Sequence, residues 1–258
     1  MKIVEFETVA NKIAPLDIQE EWDNSGFQVI SENAEISGIL VSLDITDEVI
    51  EEAILKKANL IVTHHPLMFN HINSIEVTTG YGKIITKLIK NDISVYSLHT
   101  PFDKICSGNN DYLAKMLGLI NIKQYSDFIL TGELRDKLPL SSLIKISSEE
   151  LEIPLSAIRF IGDSSKYIKK VGICTGSGGE FINDSKFDVF ITGDVKYHQA
   201  MNAKIEGKNI IDLGHYGTEK FFINNFYEQL LNELDLIGEY TPIYEFIENM
   251  DPYEVITV

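Results

Sequence analysis

The stretch Leu60–Phe69, L-I-V-T-H-H-P-L-M-F, decides how the rest of the chain is read. Its first four residues are apolar or β-branched and read as a buried strand, which stops at two adjacent histidines and a proline. Successive side chains on a strand point to opposite faces, so His64 and His65 are expected to diverge rather than share one partner.

Outward from this stretch, strand-like and helix-like segments alternate. Upstream, an amphipathic opening helix and the loop E-E-W-D-N-S-G-F-Q-V (20–29) precede a strand in G-I-L-V-S-L-D-I-T (38–46) and a helix in T-D-E-V-I-E-E-A-I-L-K-K-A (46–58), with Thr46 or Asp47 near its N-cap. Downstream come a loop with His71, a helix in G-Y-G-K-I-I-T-K-L-I-K (80–90), a strand in I-S-V-Y-S-L-H-T (93–100) and a helix around N-D-Y-L-A-K-M-L-G (110–118). Residues 121–163 are less regular and read as mixed strands with one short helix. Alternation then resumes through K-K-V-G-I-C-T-G-S-G-G, D-V-F-I-T-G-D, a helix in H-Q-A-M-N-A-K-I, N-I-I-D-L-G-H-Y-G-T and a helix from Glu219 to about Glu233. This is the pattern of an α/β protein with mixed, largely parallel sheets and covering helices.

The two halves echo each other. V-T-H-H is answered by I-T-G-D, and L-H-T-P-F-D by L-G-H-Y-G-T-E; a histidine precedes a carboxylate at one offset in both, His99 to Asp103 and His215 to Glu219. We read two pseudo-duplicated repeats, residues 1–125 and 126–258, expected to pack intimately because no linker or low-complexity tract separates them.

The 258 residues are 44% hydrophobic and 24% charged, a folded globular composition. No apolar run approaches the roughly 20 residues of a membrane span, and the N-terminus carries no secretory pattern, so a cytoplasmic protein is the expectation. Cys106 and Cys174 form no C-x-x-C pair, which argues against a disulfide or thiolate zinc site. A net charge of -17 opposes general binding to nucleic acid or anionic membranes, although divalent ions would still permit a local anion site.

His64, His65, His99 and His215 fall at or just beyond the C-terminal ends of strands, where open α/β sheets bind ligands. Asp103 and Glu219 are expected to start the helices that follow. Imidazole and carboxylate donors without thiolate suit catalytic zinc, manganese, iron or nickel. One catalytic ion needs three protein ligands; five or six are on offer, enough for two ions with Glu219 bridging. Each residue also has an ordinary reading, a hydrogen-bonded core histidine or a helix-capping carboxylate. His99 and His198 are catalytic candidates, with a supporting hydrogen bond and plain exposure as their respective alternatives. Asp44 and Asp194 read as carboxylates that support a ligand or as caps. The turn Gly176-Ser177-Gly178-Gly179 reads as a tight turn or as backbone N–H groups offered to a substrate phosphate.

At W-D-N-S-G-F-Q, L-D-I-T, T-H-H-P, H-T-P-F-D, G-S-G-G, T-G-D-V-K-Y-H-Q-A and D-L-G-H-Y-G-T-E, the sequence resembles the NGG-interacting-factor-three-like family, whose bacterial members are labelled GTP cyclohydrolase type 2 homologues. The resemblance spans essentially the whole chain and is of the short form, without the inserted domain. It implies two intertwined α/β repeats packed as one unit, a dinuclear site on His64, His65, Asp103, His215 and Glu219, a ring-shaped homohexamer, and a metal-dependent hydrolase acting on GTP or another nucleotide or phosphoester. The rival it leaves open is a non-catalytic metal-binding scaffold or regulatory partner. With two ions, diverging neighbours at T-H-H-P become useful, each addressing its own ion.

Overall fold

The structure, a computed structural model, describes residues 1–32, 35–184 and 186–255. In chain order the elements are α1 (Ile3–Ile13), β1 (Gly26–Val29), β2 (Ile39–Ser42), α2 (Asp47–Lys56), β3 (Leu60–Thr63), α3 (Gly80–Lys90), β4 (Ser94–Ser97) and α4 (Thr100–Lys104). There follow α5 (Asn109–Met116), β5 (Ile120–Gln124), β6 (Leu130–Pro139), α6 (Leu140–Glu150), β7 (Arg159–Ile161), β8 (Tyr167–Ile173), β9 (Val189–Thr192), α7 (Tyr197–Ile205), β10 (Ile210–Asp212) and α8 (His215–Glu219). The chain closes with α9 (Phe222–Ile237) and β11 (Ile243–Glu245). No helix among the described residues is long and apolar enough to cross a membrane.

Two compact units emerge. The first comprises Met1–Ile105 and Phe222–Met250, the second Cys106–Phe221 and Asp251–Val258. In the first, the sheet order is β1-β4-β3-β2-β11; β4, β3, β2 and β11 run parallel and β1 is antiparallel on β4. Every residue of β2, β3 and β4 is buried, which is why these strands are continuous apolar runs and do not alternate. Their register sets Ser42, Thr63 and Ser97 side by side, so the following loops leave the sheet on one line. The helices obey local rules: the Thr46 hydroxyl accepts from Val49 N–H at 3.3 Å to cap α2.

The second unit has the order β5-β6-β8-β9-β10-β7, with β8, β9 and β10 parallel and the remaining pairings antiparallel. Its three parallel strands match β2-β3-β4 of the first unit, with an antiparallel strand on the third: β7 lies on β10 as β1 lies on β4.

Two local expectations change. The end of the loop 20–29 is a strand, β1, because pairing with β4 supplies the hydrogen bonds that a four-residue segment cannot hold alone. The helix expected from Glu219 divides into α8 and α9, and Glu219 closes α8 rather than opening the next helix. The cause is Gly214, whose left-handed φ of 78° turns the chain off β10 so that a helical turn begins at once with His215.

Asp23, in the loop before β1, ties the first unit's binding edge together. Its carboxylate accepts from Thr100 N–H at 3.1 Å, Thr100 Oγ1 at 2.5 Å, Ser25 Oγ at 2.8 Å and the His99 ring at 2.9 Å. Burial acts to raise its pKa, but the bonds from His99 and Thr100 and the attraction of His99 outweigh it and hold the group well below the ordinary 3.8. A depressed carboxylate contributes stability above its unfolded pKa and loses that contribution as pH falls through the folded value. Replacing Asp23 with Asn is expected to remove about 1–3 kcal/mol at neutral pH. In urea unfolding, the gap between wild type and Asp23→Asn should stay constant down to about pH 5 and narrow below the ordinary aspartate pKa.

Candidate metal centre

The first unit carries His64, His65, His99 and Asp103. Strand β3 ends at Thr63, so the two histidines sit on the bend beyond it and the alternation rule no longer governs them. Their rings converge, with centroids 5.0 Å apart, which corrects the expectation of diverging neighbours. His64 is fully buried, its ring against Phe222 at 5.0 Å. Its Nδ1 donates to the Leu98 carbonyl at 2.8 Å, and because a carbonyl only accepts, this bond assigns the ring proton to Nδ1 and the lone pair to Nε2. That Nε2 lies 3.5 Å from Asp103 Oδ1. His65 Nδ1 is held by Asp44 Oδ1 at 2.8 Å, and His99 Nδ1 by Asp23 Oδ1 at 2.9 Å. One ring nitrogen from each of His64, His65 and His99 lies within 4.8 Å of the other two. Asp103 stands in the first turn of α4, its N–H bonded to the His99 carbonyl at 3.2 Å.

The second unit carries His215 and Glu219, one helical turn apart on α8. His215 Nδ1 is held by Asp194 Oδ2 at 2.7 Å, while Nε2 is 2.8 Å from Glu219 Oε2. Asp194 has a left-handed φ of 53°, an uncommon conformation for a non-glycine residue, and it supplies the carboxylate from that position. Gly176 makes room for Glu219: a Cβ there would lie 2.0 Å from Glu219 Oε1, at a φ of +64°. The amides of the glycine turn are engaged within the protein, Gly176 N–H by Thr218 Oγ1 and Gly178 N–H by Thr192 Oγ1, both at 2.9 Å. The turn therefore cradles a carboxylate, and those two amides are not offered to an anion. Ser177 is exposed. His198 is exposed on α7, its ring edge-on to Tyr197 at 5.3 Å.

All four histidines, His64, His65, His99 and His215, follow one plan: Nδ1 is fixed by an oxygen acceptor, which leaves Nε2 as the donor atom. This is how proteins orient imidazoles that bind metals. Asp44 and Asp194 are thereby resolved as supporting carboxylates. Asp23 was not singled out from sequence; only its place in a run of polar residues after a tryptophan marked it. Cys106 is exposed and Cys174 buried, its thiol donating to the Thr175 carbonyl; the two form no disulfide, and neither sits among these donors. The nitrogen and oxygen donors, the buried carboxylate and the glycine cradle fit divalent zinc, manganese, iron or nickel.

Residues 1–249 match the family described as Duf34/NIF3 (NGG1p interacting factor 3). A Clostridium perfringens protein named GTP cyclohydrolase 1 type 2 homolog is 34% identical over 275 aligned residues, covering 99% of this chain and 100% of the relative. A Campylobacter jejuni protein of the same name is 34% identical over 232, covering 90% and 93%. Among solved structures, a Staphylococcus aureus hypothetical protein superposes with a TM-score of 0.95 at 30% identity, over 99% of both chains. A Bacillus cereus protein related to NIF3 has a TM-score of 0.92 at 24% identity, over 99% of both chains, and shares the fold. The coverage is end to end in sequence and in structure, and the chain belongs to the Duf34/NIF3 family.

Proposed function

We propose that the protein is a divalent-metal-dependent hydrolase, with His64, His65, Asp103, His215 and Glu219 as ligands of two ions and a nucleotide or phosphoester as substrate. The observation that carries this reading is the shared anchoring of Nδ1, to Leu98, Asp44, Asp23 and Asp194. Four imidazoles with four dedicated acceptors go beyond what core packing requires. Pooling the two sets is supported by the family to which the chain belongs.

When bound, such ions supply Lewis acidity toward a carbonyl or phosphoryl oxygen and a nucleophilic water near neutral pH. The chain's own residues set the geometry around them. Asp44 and Asp194 hold their histidines in one tautomer and one orientation. Gly176 and the Thr218 hydroxyl fix the approach of Glu219. His99, oriented by Asp23, is assigned the transfer of a proton to or from the substrate. The relatives' name points to the purine ring of GTP, where hydrolysis would open the imidazole ring and release formate. A homohexamer is the assembly we propose alongside this activity.

Metal analysis of the purified protein, paired with a hydrolysis screen of nucleotides and phosphoesters, tests the reading. Wild type should carry divalent metal and lose turnover on chelation, and metal should restore it; Glu219→Gln should cut turnover about 10²-fold or more. Carefully handled wild type without metal, or turnover unchanged in the variant, overturns it. Asp44→Ala and Asp194→Ala should each weaken metal binding by about 10–100-fold in a competition titration while the circular dichroism spectrum is retained. Gly176→Ala should displace Glu219 and lower metal occupancy, measured by atomic emission on the folded variant.

A further inference from the structure

The segment Glu20–Gln28, E-E-W-D-N-S-G-F-Q, has a consequence beyond holding His99. Its polar side chains bond to the protein itself. Asp23 is engaged as described; Ser25 Oγ accepts from His99 N–H at 3.1 Å; Asn24 Nδ2 donates to the Met68 carbonyl at 2.8 Å; Gln28 Oε1 accepts from Met68 N–H at 3.2 Å. These bonds clamp Met68 and so set its neighbour Phe69. The largest side chain of the segment, Trp22, stays 58% exposed, and Phe69 is 49% exposed.

Trp22, Phe69 and His99 form a triangle of rings. Centroid distances are 5.9 Å for Trp22–Phe69, 5.9 Å for Trp22–His99 and 5.8 Å for Phe69–His99, with interplanar angles of 63°, 74° and 83°. At these separations the rings touch edge to face and leave no gap between them, which excludes a cage for an ammonium group. What the cluster offers is the outer faces of an indole and a phenyl ring, held beside an imidazole that sits in the cluster with His64 and His65. Phe69 also lines a cavity of about 120 Å³ with Asn70, His71 and Tyr81. That volume is below the several hundred Å³ of a site that encloses a whole ligand, so it suits a substituent and leaves the ring on the open faces. With a net charge of -17, long-range electrostatics does not draw in an anionic nucleotide, so contact with its ring adds affinity that the protein's overall field does not provide.

We propose that Trp22 and Phe69 form a platform that binds the planar heterocycle of the substrate beside His99. The inference deepens the hydrolase reading and rests on it for the chemistry next to the ring, while binding itself stands apart from turnover.

Trp22 is the sole tryptophan, so fluorescence excited at the red edge, where tyrosine does not absorb, reports on the platform. The full chain is titrated with guanosine monophosphate, adenosine monophosphate, ribose 5-phosphate, inorganic phosphate and choline. The two nucleotides should quench Trp22 saturably, and the other three should not at equal concentration. Phe69→Leu should raise the nucleotide Kd about tenfold or more, the scale of one base–aromatic stack, whereas Phe69→Tyr should keep it near wild type. Calorimetry should give a similar loss for Trp22→Leu. The loss of nucleotide affinity in Phe69→Leu should persist in chelated protein, so the metal reading and the platform can fail separately. An equal response to ribose 5-phosphate, no response to nucleotides, or an unchanged Kd in folded Phe69→Leu overturns the proposal. So does a Trp22 emission that shifts on dilution in step with the mass from light scattering, which would place a second copy over the rings.

Discussion

The buried parallel ladder β2-β3-β4 is the constraint on which the first unit depends. Its strands are covered on both faces, and their register brings Ser42, Thr63 and Ser97 level. A one-residue slip would turn every apolar side chain to the other face and move each following loop along the edge. Because the register holds, Asp44, His64, His65 and His99 emerge from neighbouring loops at one edge. The second unit uses the same device, with Thr192 beside Asp212 at the ends of β9 and β10; the loop after β9 carries Asp194 and the start of α8 carries His215.

Rigid edges do not by themselves make a donor set; each imidazole also has to be turned the right way. That is done by four acceptors that arrive from elsewhere in the chain and hold Nδ1. The glycine turn belongs to the same logic. Its amides close on Thr192 and Thr218, and its missing side chain leaves space for the carboxylate of Glu219. Backbone economy near the site thus serves the orientation of two side chains, His215 and Glu219, on a helix of only five residues.

Much of this was legible in the residues. The strand at Leu60–Thr63, the helix at Gly80–Lys90 and the cap at Thr46 follow from apolar runs, periodicity and side-chain chemistry that act over a few residues. The return of α9 and β11 to the first unit was not legible, because β11 gains its pairing from β2, some two hundred residues upstream. Nor was the convergence of His64 and His65. Alternation was the correct rule for a strand, but the strand stopped one residue before it would have applied.

By itself, the sequence determined which atoms are available: imidazole nitrogens and carboxylate oxygens on strand ends, without thiolates, in an α/β chain. Only the tertiary structure decided which nitrogen each histidine presents. The acceptors that hold Nδ1 lie 21 residues away for His65 and His215, 34 for His64 and 76 for His99. Local propensity acts over a turn or a strand. The tautomer and aim of a ring depend on the partner that folding brings to it.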